Sequence, residues 1–436
     1  MKQSELAIHG GKPVRRAPLP LEFPGVHYMD NKEVQAAVRV LKARSLFRYY
    51  GMRLQNEVQR LEHDFARFLG VKHAIAVSSG TGALHSALSA LAIGPGQEVI
   101  VPAYLWVSVV AAVVNHGAIP VLADIDETFC LNPEAVEKCI TPRTRGMVMV
   151  HMSGAPGNVR AIQKIARRHK IFLLEDCAQC AGGSVGGQKV GTFGDLATFS
   201  FQMNKNMSSG EGGMVVTNNL HLYRRAVAAH DLGYARDEKG RLIFDDPEVR
   251  GWGWGQRLDE LRASVLGVQL KKLPKTIRAM RGSKHRIRKA LEGFPQVQLR
   301  KLQDLAGDTG CFLITTYPSA AAARQVNAAL RAEGIVTSAQ GVSNVVMTDW
   351  GLHLYYNNVS LVERASTSVN GSPWTLSENA GLPRNYGKGA CPVADSLFER
   401  SILIPIPSCL TRRDEDNIIQ AFEKVLPVFC PRVTER

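Results

Sequence analysis

Apolar residues along this chain switch between two periods. Short apolar runs stand at residues 74–78, 98–101, 119–123, 146–150 and 171–175. Between them, residues 82–91, 106–116, 133–140 and 160–170 carry apolar positions at helical spacing. Short apolar runs bounded by turn residues read as buried strands. Strands alternating with helices predict a mostly parallel sheet covered on both faces. Runs at 197–201 and 213–217 extend that sheet. The predicted fold class is α/β, with a large domain built on a mostly parallel central sheet.

The flanking segments read differently. Residues 1–30 hold Gly10, Gly11, Pro13, Pro18, Pro20 and Pro24, which break periodic structure, so they read as an extended N-terminal arm. Helices are predicted over 31–44, where Val34, Ala37, Val38 and Leu41 keep helical spacing, and over 54–69, which ends at Gly70. Leu258, Leu261, Val265 and Val268 mark a long helix that should stop near Leu273, because Pro274 follows. The domain boundary is expected there: arm 1–30, large cofactor-binding domain 31–273, smaller C-terminal α/β domain 274–436. In the smaller domain, strands are expected at 310–317 and 334–338, a helix at 320–333, and a closing helix at 412–426. Residues 340–390 are rich in Asn, Ser, Gly and aromatics with weak periodicity, and so long a loop usually has a function.

Composition narrows the class. A chain of 436 residues suits two domains, and 45% apolar with 21% charged residues is ordinary for a soluble globular protein. The longest apolar region, 99–114, is interrupted by Pro102 and Ser108, so no membrane span is expected. The first twenty residues lack the apolar stretch of a secretory signal, and the eight cysteines follow no regular spacing, so a reducing cytoplasmic setting is expected. The net charge of +14 is spread along the chain and not clustered with aromatics, which argues against a nucleic-acid partner. The densest basic run, 271–289, has the spacing of a solvated helix face. A basic balance mildly favours an anionic substrate.

The chemistry concentrates between Leu173 and Thr217. Asp176 ends an apolar strand, where open α/β sheets bind ligands, while Glu175 alternates to the opposite face. A buried acid needs a cationic partner, which either a ring nitrogen or a structural arginine supplies. Gln179 follows one turn on. Lys205 lies between the aromatic strand containing Phe199 and Phe201 and a glycine turn at 210–213, a setting that lowers a lysine's pKa and suits Schiff-base formation. Ser78, Ser79, Gly80, Thr81 and Gly82 follow a strand and open a helix. Such a turn cups a phosphate, although it also serves as an ordinary N-cap. A phosphate cup, a carboxylate and a lysine together describe a site for pyridoxal 5'-phosphate. Trp106 either stacks on that ring or lines the core. Cys177 and Cys180 offer too few ligands for a metal site, and none is predicted.

With these residues in view, the chain resembles the sugar aminotransferases of the DegT/DnrJ/EryC1/StrS family, of the pyridoxal phosphate-dependent aspartate aminotransferase-like (type I) fold. The resemblance covers nearly the whole chain. It begins at Gly10-Gly11-Lys12-Pro13 and runs through SSGTGALHSAL (78–88), GPGQEVIVPAYLWVS (94–108), HMSGAPGNV (151–159) and EDCAQ (175–179). It continues through VGTFGDLATFSFQMNKNMSSGEGG (190–213), RLDELRASVLGVQL (257–270) and CPVADSLFERSILIPIP (391–407). It implies that Lys205 is the Schiff-base lysine and proton shuttle, that Asp176 holds the pyridine nitrogen, and that Gln179 lies by the ring hydroxyl. Gly80, Thr81 and Ser200 would then hold the phosphate, and Trp106 would stack on the ring.

The implied activity moves an amino group from L-glutamate or L-glutamine to a keto or aldehydo sugar, a sugar acid or a cyclitol, in a homodimer. The SFQ…K…SGEGG form looks most like the subgroup with aminocyclitol, aminohydroxybenzoate and amino-octulosonate enzymes. Two positions depart from the family's pattern. Gly255 stands where an Asn often reaches the phosphate across the dimer, so any contact there is expected from a backbone N–H or else moves to another residue. Cys311-Phe312-Leu313 replaces His-Leu-Tyr. Family dehydratases carry histidine in place of the lysine, so Lys205 favours transamination over dehydration of a related substrate. A silent pyridoxal phosphate-binding regulatory protein is the third alternative. Acceptor contacts are expected from Tyr49, Tyr50, Tyr386, Lys388 and the 340–390 segment.

Overall fold

A computed structural model describes residues 3–237, 239–338, 343–383 and 385–430. The large domain is built on a seven-stranded sheet. In chain order its strands are β1 His73–Val77, β2 Glu98–Pro102, β3 Ile119–Ala123, β4 Thr144–Val150, β5 Phe172–Asp176, β6 Leu196–Ser200 and β7 Gly213–Thr217. Their order across the sheet is β1-β7-β6-β5-β4-β2-β3. The pairs from β3 to β6 are parallel, and only β7 runs against its neighbours. Nearly every residue of these strands is buried, because helices cover both faces. Continuous apolar runs replace alternation for that reason. The carboxyl ends of β1, β2, β4, β5 and β6 therefore meet along one edge.

The first helix, Asn31–Ala43, is fixed by a capping box between Asp30 and Glu33. Its apolar stripe does not face the core. Val34, Val38 and Leu41 are 58%, 41% and 51% exposed, while Ala36 and Val40 are buried. The spacing identified the helix correctly and left open which side it buries.

The long helix expected to stop before Pro274 runs unbroken from Glu260 to Leu291. Proline removes one hydrogen bond to the preceding turn. Packing on both sides of it outweighs that loss. Leu266, Leu270, Leu273 and Ile277 join the large-domain core, and Met280, Ile287 and Leu291 join the core of the smaller domain. One helix thus serves both cores, and residue 273 lies in its middle.

The smaller domain carries an antiparallel sheet of β8 Gln298–Leu299, β9 Phe312–Thr316, β10 Val345–Val346 and β11 Ser401–Pro405, ordered β8-β9-β11-β10. The strand expected at 334–338 is absent among its described residues. That segment makes a single bridge, Thr337 to Leu19, and the strand that pairs with β11 is β10, further along the chain. Helices Ala320–Ala332 and Arg412–Phe429 cover the sheet.

The arm lies on the smaller domain of its own chain. Leu6 and Leu19 enter that core, the Ala7 and Val14 amides donate to Glu333 at 2.8 and 3.1 Å, and Arg15 pairs with Asp414 at 2.6 Å. Further on, the Gly25 amide donates to the Lys205 carbonyl at 3.2 Å. No helix among the described residues is long and apolar enough to cross a membrane.

Candidate active site

A cleft of about 670 Å³ opens at the carboxyl edge of the sheet. Gly80, Thr81, Trp106, Asp176, Gln179, Ser200 and Lys205 all line it. Residues scattered over more than a hundred positions of sequence converge because they sit at or just past the carboxyl ends of four strands, β1, β2, β5 and β6. The four residues expected to touch the acceptor do not line the cleft of their own chain. Tyr386 is buried, with its hydroxyl donating to the Pro120 carbonyl at 2.8 Å beside the edge strand β3. Lys388 is paired with Glu399 at 2.6 Å. Tyr50 is 72% exposed, and Tyr49 lies under the Arg236 guanidinium at 3.9 Å. An aromatic or basic residue near a motif carries no information about which way it points.

Glu175 and Asp176 divide between the two faces of β5. Glu175, fully buried, accepts the Gly191, Phe193 and Gly194 amides at 2.9, 2.7 and 2.7 Å and stands 3.1 Å from His151 Nε2. The glycine-rich passage after β5 is therefore folded around this carboxylate. His151, Glu175 and Cys177 place potential ligand atoms within 4.8 Å of one another, but the carboxylate is already committed to those donors.

Asp176 faces the cleft and accepts the Ala178 amide at 2.9 Å. Burial pushes its carboxyl above the usual range, opposed by that amide and by the charges of Lys205 and His151. Burial likewise pushes the Lys205 amine below its ordinary value, with the Asp176 charge opposing. The acid is short of a cation, and the amine loses its proton more readily than a surface lysine. Both conditions suit a ligand that brings a protonated ring nitrogen to the one and a carbonyl to the other.

The phosphate end is set by close packing. A Cβ on Gly80 would lie 2.7 Å from Ser200 Cβ, so only glycine lets the start of helix Gly80–Ala90 meet the end of β6. Ser79 Oγ caps the helix by accepting the Gly82 amide at 2.9 Å, and Thr81 Oγ1 lies 2.8 Å from Ser108 Oγ. First-turn amides have no acceptor within their own helix and carry the positive end of its dipole, which suits an anion. The amide of Gly255 does not join them. At φ +65° it donates to the Asp231 carbonyl at 2.8 Å, which leaves the other expectation, a contact moved to another residue. The cup, the acid and the amine fit pyridoxal 5'-phosphate.

Part of the wall comes from the 340–390 segment singled out in the sequence, although its individual residues were not legible. Trp350 and His353, from the weakly periodic segment, line the cleft with Asp349, Phe312, Cys311, Glu22 and Glu211. Hydrogen-bond roles fix the His353 tautomer. Its Nδ1 lies 2.9 Å from the Trp350 carbonyl and must donate, so Nε2 is left to accept. Gln179 Oε1 takes the Ser153 amide at 2.8 Å, which turns its Nε2 donor toward His353 Nε2 at 3.4 Å. Burial, aided by the Lys205 charge, pushes His353 down to about 4 and keeps it neutral. The aromatic clustering of Trp350 and His353 was the available signal, but nothing in it specified the cleft.

These features fit a pyridoxal 5'-phosphate site on the type I aminotransferase fold. The chain belongs to the DegT/DnrJ/EryC1/StrS aminotransferase family, which it matches over residues 28–347. It is 40% identical over 287 residues to the L-glutamine:2-deoxy-scyllo-inosose aminotransferase of Streptomyces kanamyceticus, covering 63% of this chain and 64% of that one. It is 39% identical over 266 residues to the 3-amino-5-hydroxybenzoate synthase of Amycolatopsis mediterranei (strain S699), covering 60% of this chain and 65% of that one. The chain thus spans less than two thirds of the length of these relatives. Among solved structures, 3-amino-5-hydroxybenzoic acid synthase superposes with a TM-score of 0.73 at 26% identity, over 94% of this chain and 100% of that one. DesI, solved in the presence of its TDP-sugar product, superposes with a TM-score of 0.74 at 26% identity, over 99% of this chain and 98% of that one.

Proposed function

We propose that this protein transfers an amino group from L-glutamate or L-glutamine to the carbonyl carbon of a sugar-like or cyclitol acceptor. The observation that carries this reading is the convergence of Lys205 and Asp176 on one cleft that also holds a phosphate cup. In the overall exchange the donor's C–NH2 carbon is oxidised to a carbonyl and the acceptor's carbonyl carbon is reduced to C–NH2. The nitrogen moves to the acceptor and the carbonyl oxygen is made good through water, so atoms and electrons balance. When bound, the cofactor supplies a carbonyl to carry the nitrogen and a protonated ring to hold the electron pair.

The residues divide the remaining work. Asp176 keeps the ring nitrogen protonated, and that proton satisfies its otherwise costly burial. Lys205 would anchor the cofactor in the resting state and, once released, would move the proton at the donor's α-carbon. Gly80, Thr81 and Ser200 hold the phosphate. Gln179, oriented by Ser153 and His353, contacts the ring oxygen, and Trp106 flanks the ring.

A homodimer completes the picture. The exposed apolar stripe of Val34, Val38 and Leu41 supports it, since a helix face of that kind is usually covered. Free cysteines, each buried or half-buried, support a reducing cytoplasmic setting.

The test loads the protein with pyridoxal 5'-phosphate, reduces it with borohydride and maps the modified residue by mass spectrometry. Labelled nitrogen from [15N]glutamate and α-amino-[15N]glutamine is then followed into a panel of keto-sugars and keto-inositols. Modification at Lys205 and label in a product are expected. Modification elsewhere, or donor turnover that survives Lys205→Ala, would overturn the assignment.

A further inference from the structure

The turn that follows β4 holds a conformation its own sequence does not favour. Ser153 is fully buried and takes the left-handed backbone conformation at φ 52°, ψ 35°, a region that residues other than glycine rarely occupy. What serine adds to this position over glycine is a hydroxyl. Its Oγ lies 2.9 Å from the hydroxyl of Tyr104, itself fully buried in the loop after β2. The residues on either side are held as well. Arg300 Nη1 donates to the Met152 carbonyl at 2.9 Å, and the Thr309 amide and hydroxyl donate to the Gly154 carbonyl at 2.9 and 3.0 Å. Backbone strain that its surroundings over-determine in this way gathers at functional sites.

The strained turn fixes the direction of one N–H. The Ser153 amide donates to Gln179 Oε1 at 2.8 Å, which settles which end of that side chain accepts. The other end, Nε2, carries two hydrogens. One is turned toward His353 Nε2 at 3.4 Å, an acceptor because Nδ1 of the same ring donates to the Trp350 carbonyl. The second is left for the cleft, which Gln179 lines. If the side-chain amide turned over, its NH2 would face the Ser153 N–H and its oxygen would face the acceptor on His353. Gln179 is therefore held as a donor toward the cleft.

Resting on the assignment of this cleft to pyridoxal 5'-phosphate, we propose that Ser153 and Tyr104 are positioning residues for the cofactor, holding Gln179 as a hydrogen-bond donor to the oxygen on its ring. Neither residue lines the cleft itself. The Tyr104 hydroxyl tethers the left-handed turn, the turn aims the Ser153 amide, and that amide orients Gln179. A hydrogen bond to a charged oxygen is stronger than one to a neutral group, so this orientation governs how tightly the ring is held.

The experiment compares two ligands on the full-length apoprotein, pyridoxal 5'-phosphate and its 3-deoxy analogue, which lacks the ring oxygen. Affinities are read by spectrophotometric titration. Gln179→Leu should weaken binding of pyridoxal 5'-phosphate at least about tenfold and binding of the analogue less than about twofold, the scale of one hydrogen bond to a charged group. Ser153→Ala loses the tether and keeps the strain, so the turn can relax and swing its N–H away. It should weaken pyridoxal 5'-phosphate about fivefold and leave the analogue nearly unchanged, and Tyr104→Phe should behave alike. Ser153→Gly holds a left-handed turn without a tether and should bind within about twofold of wild type. Equal losses for both ligands in Ser153→Ala, or a Ser153→Gly that binds no better than Ser153→Ala, would reduce Ser153 to a structural role and overturn this inference. Unchanged binding of pyridoxal 5'-phosphate in Gln179→Leu overturns it as well and leaves the cofactor assignment standing. A wild-type apoprotein that takes up neither ligand overturns the cofactor assignment and this inference with it.

Discussion

Gly80 and Ser200 meet so closely that a methyl group on the first would stand 2.7 Å from Cβ of the second. Helix start and strand end are locked together at the point proposed to hold the phosphate. Gly80→Ala must push one of them away, at a cost of about 1–3 kcal/mol for an overpacked contact. The larger effect should be on the cofactor. Spectrophotometric titration of the apoprotein should show affinity for pyridoxal 5'-phosphate reduced at least about tenfold. Ser200→Ala, which keeps the shape and removes one hydroxyl, should lose less. Unchanged affinity in Gly80→Ala would move the phosphate elsewhere.

Lys205 gives a pH signature. Its amine must be unprotonated to attack the cofactor's carbonyl, and burial lowers its pKa from the ordinary 10.5. Capture of pyridoxal 5'-phosphate by the apoprotein should therefore accelerate with rising pH around a midpoint below 10.5. The Asp176 charge favours the protonated amine. Removing it in Asp176→Asn should move the midpoint further down. Stopped-flow absorbance across pH measures both, and a wild-type midpoint at the ordinary lysine value would contradict the geometry.

The part of this site written in the sequence is the part built from strand ends. Asp176, Gly80 and Lys205 each follow a local transition from an apolar run to a turn, and local transitions are legible, whereas Ser200 came only from the resemblance. Pro274 misled because two hydrophobic cores packed against one helix outweigh a single missing hydrogen bond. Val34 and Leu41 had the right period, but a period does not say whether a stripe faces the core or the surface. Trp350 and His353 stand in a segment with only weak periodicity. Their place in the cleft depends on backbone pairing to residues about 250 positions earlier. Tyr386 and Lys388 have suitable chemistry and the wrong orientation, which sequence spacing in an irregular segment cannot specify.

Adjacent residues on β5 should fail in opposite ways. Glu175 accepts three backbone amides and stands within hydrogen-bond distance of His151, so an amide side chain in its place turns a donor toward other donors. Glu175→Gln should cost about 3 kcal/mol in urea unfolding, the scale of a broken buried charged network. Asp176 accepts one backbone amide and otherwise awaits a cation. Asp176→Asn should change stability by about 1 kcal/mol or less and abolish amino transfer. If Asp176→Asn destabilised the protein as much as Glu175→Gln, its role would be structural.

Arg300 ties the smaller domain to the cleft. It follows β8, is 2% exposed, and reaches into the large domain. Its guanidinium donates from Nε to the Thr128 carbonyl at 2.7 Å, from Nη1 to the Met152 carbonyl at 2.9 Å and from Nη2 to the Ala155 carbonyl at 3.3 Å. A lysine keeps the charge but cannot reach three carbonyls held in a fork. Arg300→Lys should therefore lose about 2–4 kcal/mol, as buried acceptors are left unpaired. The damage should also reach the site. Met152 lines the cleft, and the Ser153 amide next to it orients Gln179 at 2.8 Å. Weaker cofactor binding should accompany the lost stability, with the Lys205 midpoint unchanged because neither Lys205 nor Asp176 touches this pin. Thermal unfolding with and without pyridoxal 5'-phosphate measures the first two effects together. A destabilised variant that binds the cofactor as tightly as wild type would confine Arg300 to joining the domains.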